Sequence, residues 1–250
     1  MALIEEMEKQ GNFLFRYRGT LPIIILLAGL ALFAFTEWKA VQAGKPQLEF
    51  DRYNQVVALI VCLFGFAVRI YTVGHTPRNT SGRNTKAQIA DELNTNGVYS
   101  LVRHPLYLGN FFMWLGISVL TMNLWFILGF VLIFWIYYER IMFAEEQFLR
   151  RKFGEPYVEW AENTPAFFPS LRNWKPNKLL FNWRKVIVKE KTGFLAIFFV
   201  FFLFDLVKDS IKNRSLTFDL DFWMLALIFS LSIYLVIKLL RKKITFLKEV

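Results

Sequence analysis

Cysteine and histidine are scarce in this chain. Its 250 residues include one cysteine, Cys62, and two histidines, His75 and His104. A lone thiol inside an apolar run forms no internal disulfide and no thiolate metal site. Two histidines build no imidazole cluster, so no metal centre is expected. The redox compartment is unreadable from one thiol. No internal repeat is visible, and no Pro- or Gly-rich linker divides the chain. No Gly-Lys-Ser/Thr phosphate loop occurs, and no Gly-x-Gly-x-x-Gly turn follows a strand, so a soluble nucleotide-binding fold is unsupported. The opening MALIEEMEKQGNF is mixed in charge and lacks a small-residue cleavage site before a short apolar core. It is not read as a removable signal peptide.

What the chain has in excess is apolar surface. It is 55% hydrophobic, with 28 phenylalanines and a mean hydropathy of +0.36. A soluble domain sits nearer about 45–50% apolar. Six apolar runs stand out, at roughly 20–36, 55–73, 106–121, 124–140, 193–207 and 221–240. The third and fourth are joined only by Met122 and Asn123 beside Thr121, which predicts a tight helical hairpin, since backbone in a bilayer must stay hydrogen-bonded. The expected fold is all-α, a polytopic membrane protein of about six transmembrane helices with a cytoplasmic helical extension. With both termini inside, 23 of the 30 Lys and Arg residues fall on the inner segments and 6 on the outer ones, while Arg69 sits within the second run. That asymmetry predicts cytoplasmic termini and a cytoplasmic functional face, in a cell inner membrane. The net charge of +10 then reflects topology and anionic headgroups, not nucleic acid. The organisation expected is an N-terminal segment with the first span (1–54), a core (55–172), and a basic interfacial segment with a last helix pair (173–250).

Three segments carry candidate chemistry. The first is Asn96-Gly97-Val98-Tyr99-Ser100-Leu101-Val102-Arg103-His104-Pro105-Leu106-Tyr107-Leu108-Gly109. Pro105 can open the third span at its first turn, where no amide donor is lost. Tyr99, Arg103, His104 and Tyr107 then cluster at the span's mouth, and Gly97 and Gly109 allow a turn and close backbone approach. The plainer alternative is an interfacial belt of anchoring Tyr and snorkelling Arg. The second is Glu145-Glu146, on a helix running from Glu139 out of the fourth span to Phe153 and broken at Gly154 and Pro156. Ionised carboxylates accept hydrogen bonds and suit a ribose diol. The alternative is a solvated face with Glu146 and Arg150 as an i,i+4 pair. The third is the loop from Gly74 to Lys86, whose Arg78 and Arg83 are suited to a phosphate-bearing headgroup. A flexible basic loop facing lipid is its alternative.

Taken together, Gly-x-Tyr-x-x-x-Arg-His-Pro-x-Tyr-x-Gly, the tight hairpin, Glu-Glu, Phe-Gly-Glu-x-Tyr and the tail Thr164-Pro165-Ala166-Phe167-Phe168-Pro169 resemble the isoprenylcysteine carboxyl methyltransferase family. Related membrane phospholipid methyltransferases share the pattern, which covers about residues 55–172. The resemblance implies S-adenosyl-L-methionine as methyl donor. It implies cofactor contacts from Tyr99, His104, Pro105, Leu106, Tyr107, Glu145 and Glu146, and catalytic roles for Arg103 and His104. One departure is visible. The carboxyl methyltransferases carry a substrate-contacting Arg four residues before the cofactor Glu. Ile141 stands there, and the nearest Arg is Arg140.

The expected activity is therefore methyl transfer to a membrane lipid, with the bilayer as setting. The Arg-rich loop and the Ile141 departure lean towards O-methylation of a phosphate on an anionic lipid such as lipid A, with Arg78, Arg83 and Arg140 as substrate-binding candidates. Phospholipid N-methylation and prenylcysteine carboxyl methylation are the alternatives within the class. Outside it stand an NADPH-dependent sterol-type reductase and a non-enzymatic transporter or assembly protein. The oligomeric state is not readable.

Overall fold

A computed structural model of the chain describes residues 2–44, 50–77 and 88–243. Arg78 and Arg83 lie outside the described residues. Among the described residues eight α-helices follow in order: α1 Leu3–Arg16, α2 Thr20–Gln42, α3 Phe50–Gly74, α4 Pro105–Val119, α5 Leu124–Phe153, α6 Glu155–Asn163, α7 Trp183–Asn213 and α8 Phe222–Lys243. Short 3₁₀ turns fill Gly97–Ser100 and Leu171–Asn173, and no strand occurs among the described residues. The protein is an all-helical integral membrane protein.

Among the described residues four helices are long and apolar enough to cross a bilayer: Thr20–Gln42, Arg52–Gly74, Leu124–Phe153 and Phe222–Arg241. Helix α4 is apolar but has only 15 residues. At 1.5 Å per residue it reaches about 22 Å, short of a hydrocarbon core of about 30 Å. Helix α7 has 31 residues, but the uncharged stretch between Lys191 and Asp205 is short for a span. Its first turns replace the end of what reads in the sequence as one long polar segment. The α4–α5 hairpin forms where the sequence places it. Asn123 caps α5 by accepting from the Phe126 amide at 3.0 Å, and Met122 turns the chain with a left-handed φ of 51°.

Helices associate in lipid by close packing, not by the hydrophobic effect, so small residues mark the contacts. Helix α3 lies against α4 more intimately than any other pair. A Cβ added at Gly65 would stand 2.5 Å from the Gly109 carbonyl oxygen and 2.6 Å from the Met113 nitrogen. A turn or two further on, Gly116 meets Ala58 and Cys62 in the same way. Helix α4 thereby joins two cores. One gathers Phe15, Ile25, Tyr107, Phe130, Phe134 and Tyr138 from α1, α2, α4 and α5. The other gathers Phe33, Cys62, Phe66, Ile197, Phe201 and Trp223 from α2, α3, α7 and α8. Along α5 the aromatic side chains repeat at i,i+4, and the Phe134 and Tyr138 rings stack at 4.1 Å.

The mixed N-terminal segment forms helix α1, which the sequence reading does not anticipate. It runs along the polar half of α5. Gly11 brings it within contact of the Arg140 carbonyl, the Tyr137 hydroxyl donates to the Leu14 carbonyl at 3.0 Å, and Arg151 pairs with Glu8. The Arg151 hydrogen bond holds the Glu8 carboxyl below the usual carboxylate range.

Gly65→Val tests the α3–α4 contact. The atoms it would strike are backbone, so side-chain repacking gives no relief. The substitution is expected to cost about 1–3 kcal/mol, read as a fall in the thermal midpoint of the detergent-solubilised protein. An unchanged midpoint would contradict the close approach.

Candidate active site

The two segments singled out in the sequence meet at one end of the bundle. Pro105 opens α4, and His104 stands at its N-cap. Helix α5 continues past the apolar layer without a break, which carries Glu145 and Glu146 to the same level. His104 is buried and shares a hydrogen bond of 2.9 Å between its Nε2 and Glu146 Oε1. Its Nδ1 lies 3.6 Å from Glu145 Oε2. The Tyr107 hydroxyl donates to Glu145 Oε1 at 2.7 Å, and the Tyr107 ring stacks on the His104 ring with centroids 5.7 Å apart. Arg103 places Nε 3.2 Å from Glu146 Oε1 and donates from a terminal nitrogen to the Ala161 carbonyl at 3.2 Å. Glu146 therefore pairs across the bundle with Arg103 and His104. Arg150, on an exposed position of the same helix, is not its recorded partner.

The Pro-punctuated tail fixes this geometry. The Arg103 amide donates to the Pro165 carbonyl at 2.9 Å, the His104 amide to the Ala166 carbonyl at 3.2 Å, and the Ser170 amide to the Leu101 carbonyl at 2.9 Å. The first two occupy amides just ahead of α4 that have no intrahelical acceptor, and the third ties the tail to Leu101. The 3₁₀ turn before them needs Gly97 twice over. Its φ is +59°, and a Cβ there would run into Asn177 Oδ1. Helix α6 folds back after Gly154, which takes φ +62°, and its Trp160 Nε1 donates to the Tyr99 carbonyl at 3.0 Å.

These side chains border a cavity of about 330 Å³, within the size range of small-molecule sites. Tyr99, Arg103, His104, Pro105, Leu106, Tyr107 and Glu145 all line it. Burial, and then the Glu145 charge, hold the Tyr99 phenol far above its ordinary range, so it stays neutral. Glu146 stands one layer behind, holding His104 and Arg103. Arg140 does not line the cavity. It is half-buried, and its carbonyl faces Gly11 of α1. Ile141, where the sequence departs from the resembled pattern, is fully buried.

The cavity also takes residues that sequence reasoning does not assign to it. Arg18 and Phe15 come from the α1 end, Asn110 from α4, Trp160 from α6, and Lys189 and Glu190 from α7. Arg69 of α3 reaches in as well. The one legible sign was Arg69 itself, a charge inside an apolar run, which in a membrane helix marks either a partner or a function. Nothing in the sequence couples it to Glu190, 121 positions away.

Comparison with known proteins points to a family. Residues 53–156 match the phospholipid methyltransferase family model. The chain is 32% identical over 148 residues to protein-S-isoprenylcysteine O-methyltransferase of Xenopus laevis, covering 58% of this chain and 51% of that one. It is 30% identical over 210 residues to the cobalt-zinc-cadmium resistance protein CzcN of Cupriavidus metallidurans, covering 80% and 87%. It is 39% identical over 163 residues to the nickel-cobalt-cadmium resistance protein NccN of Alcaligenes xylosoxydans xylosoxydans, covering 64% and 68%. The chain thus spans about half the length of the frog methyltransferase and most of the length of the two resistance proteins. No solved structure matches it.

Glu146→Gln probes the paired carboxylate. The amide keeps its shape but loses the charge facing Arg103 and His104. A hydrogen bond to a charged group contributes about 1.5–3 kcal/mol, and partial exposure of the pair puts the expected loss near the lower end. A chemical or thermal unfolding series on the two proteins would read it. Equal stability would mean that Glu146 does not hold this corner together.

Proposed function

This chain belongs to the family of membrane methyltransferases that includes phospholipid and isoprenylcysteine methyltransferases, and on that premise we propose that it transfers a methyl group from S-adenosylmethionine to a membrane lipid. The observation that carries the proposal is the pairing of Tyr107 with Glu145 and of His104 with Glu146 beside a cavity at the bundle's end. The residues present fit such a donor. They combine carboxylate oxygens, two tyrosine faces and apolar side chains in one small space.

When bound, S-adenosylmethionine supplies a methyl group on a positively charged sulfur, lost by in-line displacement. The protein's part is then alignment and exclusion of water. Tyr99 and Tyr107 offer ring faces that attract a cation. Glu145 offers acceptor oxygens for ribose hydroxyls, with Tyr107 fixing its orientation. Leu106 and Pro105 supply apolar contact beside them. Arg103, held by Glu146, orients an anionic acceptor. An oxyanion needs no general base, whereas an amine must lose a proton, for which His104 on the cavity wall is the candidate base.

The acceptor class we favour is an oxyanion of a lipid headgroup, such as a phosphate of lipid A. Its support is the set of cations bordering the cavity, Arg18, Arg69, Arg103 and Lys189. Arg78 and Arg83 of the basic loop remain sequence-based candidates for the same role. We place this site and both termini on the cytoplasmic face of a cell inner membrane, from the Lys and Arg asymmetry.

Binding of S-adenosylmethionine to the detergent-purified protein tests the reading, with Glu145→Ala alongside. Loss of hydrogen bonds to a charged group is expected to weaken binding about tenfold or more. Labelled methyl should then appear in the lipid fraction of a bacterial extract. No binding to folded protein would reject the donor. Label found only on amine headgroups would reject the oxyanion preference.

A further inference from the structure

The cavity has a second polar pole, distinct from the Glu145–His104 corner. Arg69 donates from Nε to Glu190 Oε2 at 3.0 Å and from a terminal nitrogen to Glu190 Oε1 at 2.7 Å. Its other terminal nitrogen donates to Asn110 Oδ1 at 2.6 Å. A carboxylate engaged side-on in this way fixes the plane of the guanidinium, and with Asn110 it takes three of the five N–H donors, leaving two for a further acceptor. The exposures say where. The Arg69 side chain is 21% exposed and that of Glu190 only 5%, and both border the cavity. Glu190 is the backing and Arg69 the open face. Room for the arginine is provided by Gly109, where an added Cβ would stand 2.6 Å from Arg69 Cγ.

Position and origin matter as much as charge. Arg69 lies five residues before the end of α3, about 7.5 Å along the axis, and so on the bilayer side of the cavity. Glu190 belongs to α7, outside residues 53–156 that match the family model. Arg69 and Asn110 lie within that match, so the shared core supplies the guanidinium and α7 supplies its backing.

We propose that Arg69, aimed by Glu190 and Asn110, is the subsite that receives the anionic headgroup of the lipid acceptor, a phosphate or carboxylate oxygen at the membrane side of the cavity. Glu190 and Asn110 are positioning residues. Lys189, beside Glu190 on the cavity wall, offsets the charge that the headgroup brings. The plain alternative is a brace in which the ion pair only ties α7 to α3. The proposal rests on the methyltransferase reading for what happens next, but headgroup binding is measurable without it.

The test uses the full chain in detergent, with dioctanoyl phosphatidate as probe and dioctanoyl phosphatidylcholine as the zwitterionic control. Equilibrium binding of each lipid, and separately of S-adenosylmethionine, is measured for wild type, Arg69→Gln, Arg69→Lys and the exchanged pair Arg69→Glu with Glu190→Arg. The expected result is phosphatidate preferred over phosphatidylcholine by wild type, and weakened at least tenfold by Arg69→Gln. Arg69→Lys should retain part of that preference, because it keeps the charge. Affinity for S-adenosylmethionine should stay within about twofold throughout. The exchanged pair can restore a brace but not the aimed fork, so it should not restore phosphatidate binding. Should Arg69→Gln fail to fold, Arg69→Lys and the exchanged pair decide. Full phosphatidate affinity in the exchanged pair, no headgroup preference in wild type, or equal losses for lipid and donor would each overturn the proposal. Wild type that binds phosphatidate through Arg69 but not S-adenosylmethionine would leave the subsite standing and reject the methyltransferase reading instead.

Discussion

Two adjacent carboxylates, Glu145 and Glu146, stand half-buried where an apolar helix leaves the bilayer layer, and charge withdrawn from water must be paired. Much of the surrounding structure answers that requirement. His104 sits at the first turn of α4 so that both ring nitrogens face the pair. Tyr107 follows three residues later, one turn on, and reaches Glu145. Arg103 brings a full positive charge to Glu146. The tail at residues 164–170 then locks the segment from outside by backbone hydrogen bonds. The same demand recurs deeper in the bundle, where Arg69 is met by Glu190 and Asn110.

What was legible in the sequence was local. The hairpin at Asn123 could be read because a short polar residue between apolar runs caps the following helix through its own side chain. The break at Gly154 could be read because a left-handed turn between two helices favours glycine. The Arg-His-Pro and Glu-Glu segments could be paired because their spacing resembles a known pattern, and the structure brings them within hydrogen-bond distance. Their roles in catalysis rest on the proposal, not on their proximity.

What was not legible depended on contacts between distant parts of the chain. Helix α1 reads as a mixed polar segment, since only its packing against α5 shows which face is buried. Residues 183–192 read as the end of a polar stretch, because charges along a helix hide its continuity with the apolar part of α7. The Arg69–Glu190 pair joins positions 121 apart; Arg69 alone looks like a misplaced charge, and Glu190 is lost among the charges around it. Asn177 above Gly97 is of the same kind, a contact whose cost to any side chain at position 97 is visible only in three dimensions.

Helix α5 acts as a ruler. Leu124 begins at the far hairpin and Glu145 follows 21 positions later on the same unbroken helix, a span of about 32 Å at 1.5 Å per residue, close to the thickness of a hydrocarbon core. The depth of the chemistry is thus measured out by one rigid element from the opposite surface. Phase is set with it. A single residue inserted anywhere between the hairpin and the carboxylates would lift them by only about 1.5 Å but swing them by about 100° around the axis, away from His104 and Tyr107. A bilayer of different thickness can be met by tilting this helix, but not by changing its count of residues one at a time. Its length is therefore free to drift only in whole turns, and the ring of aromatic side chains along it is carried in the same steps.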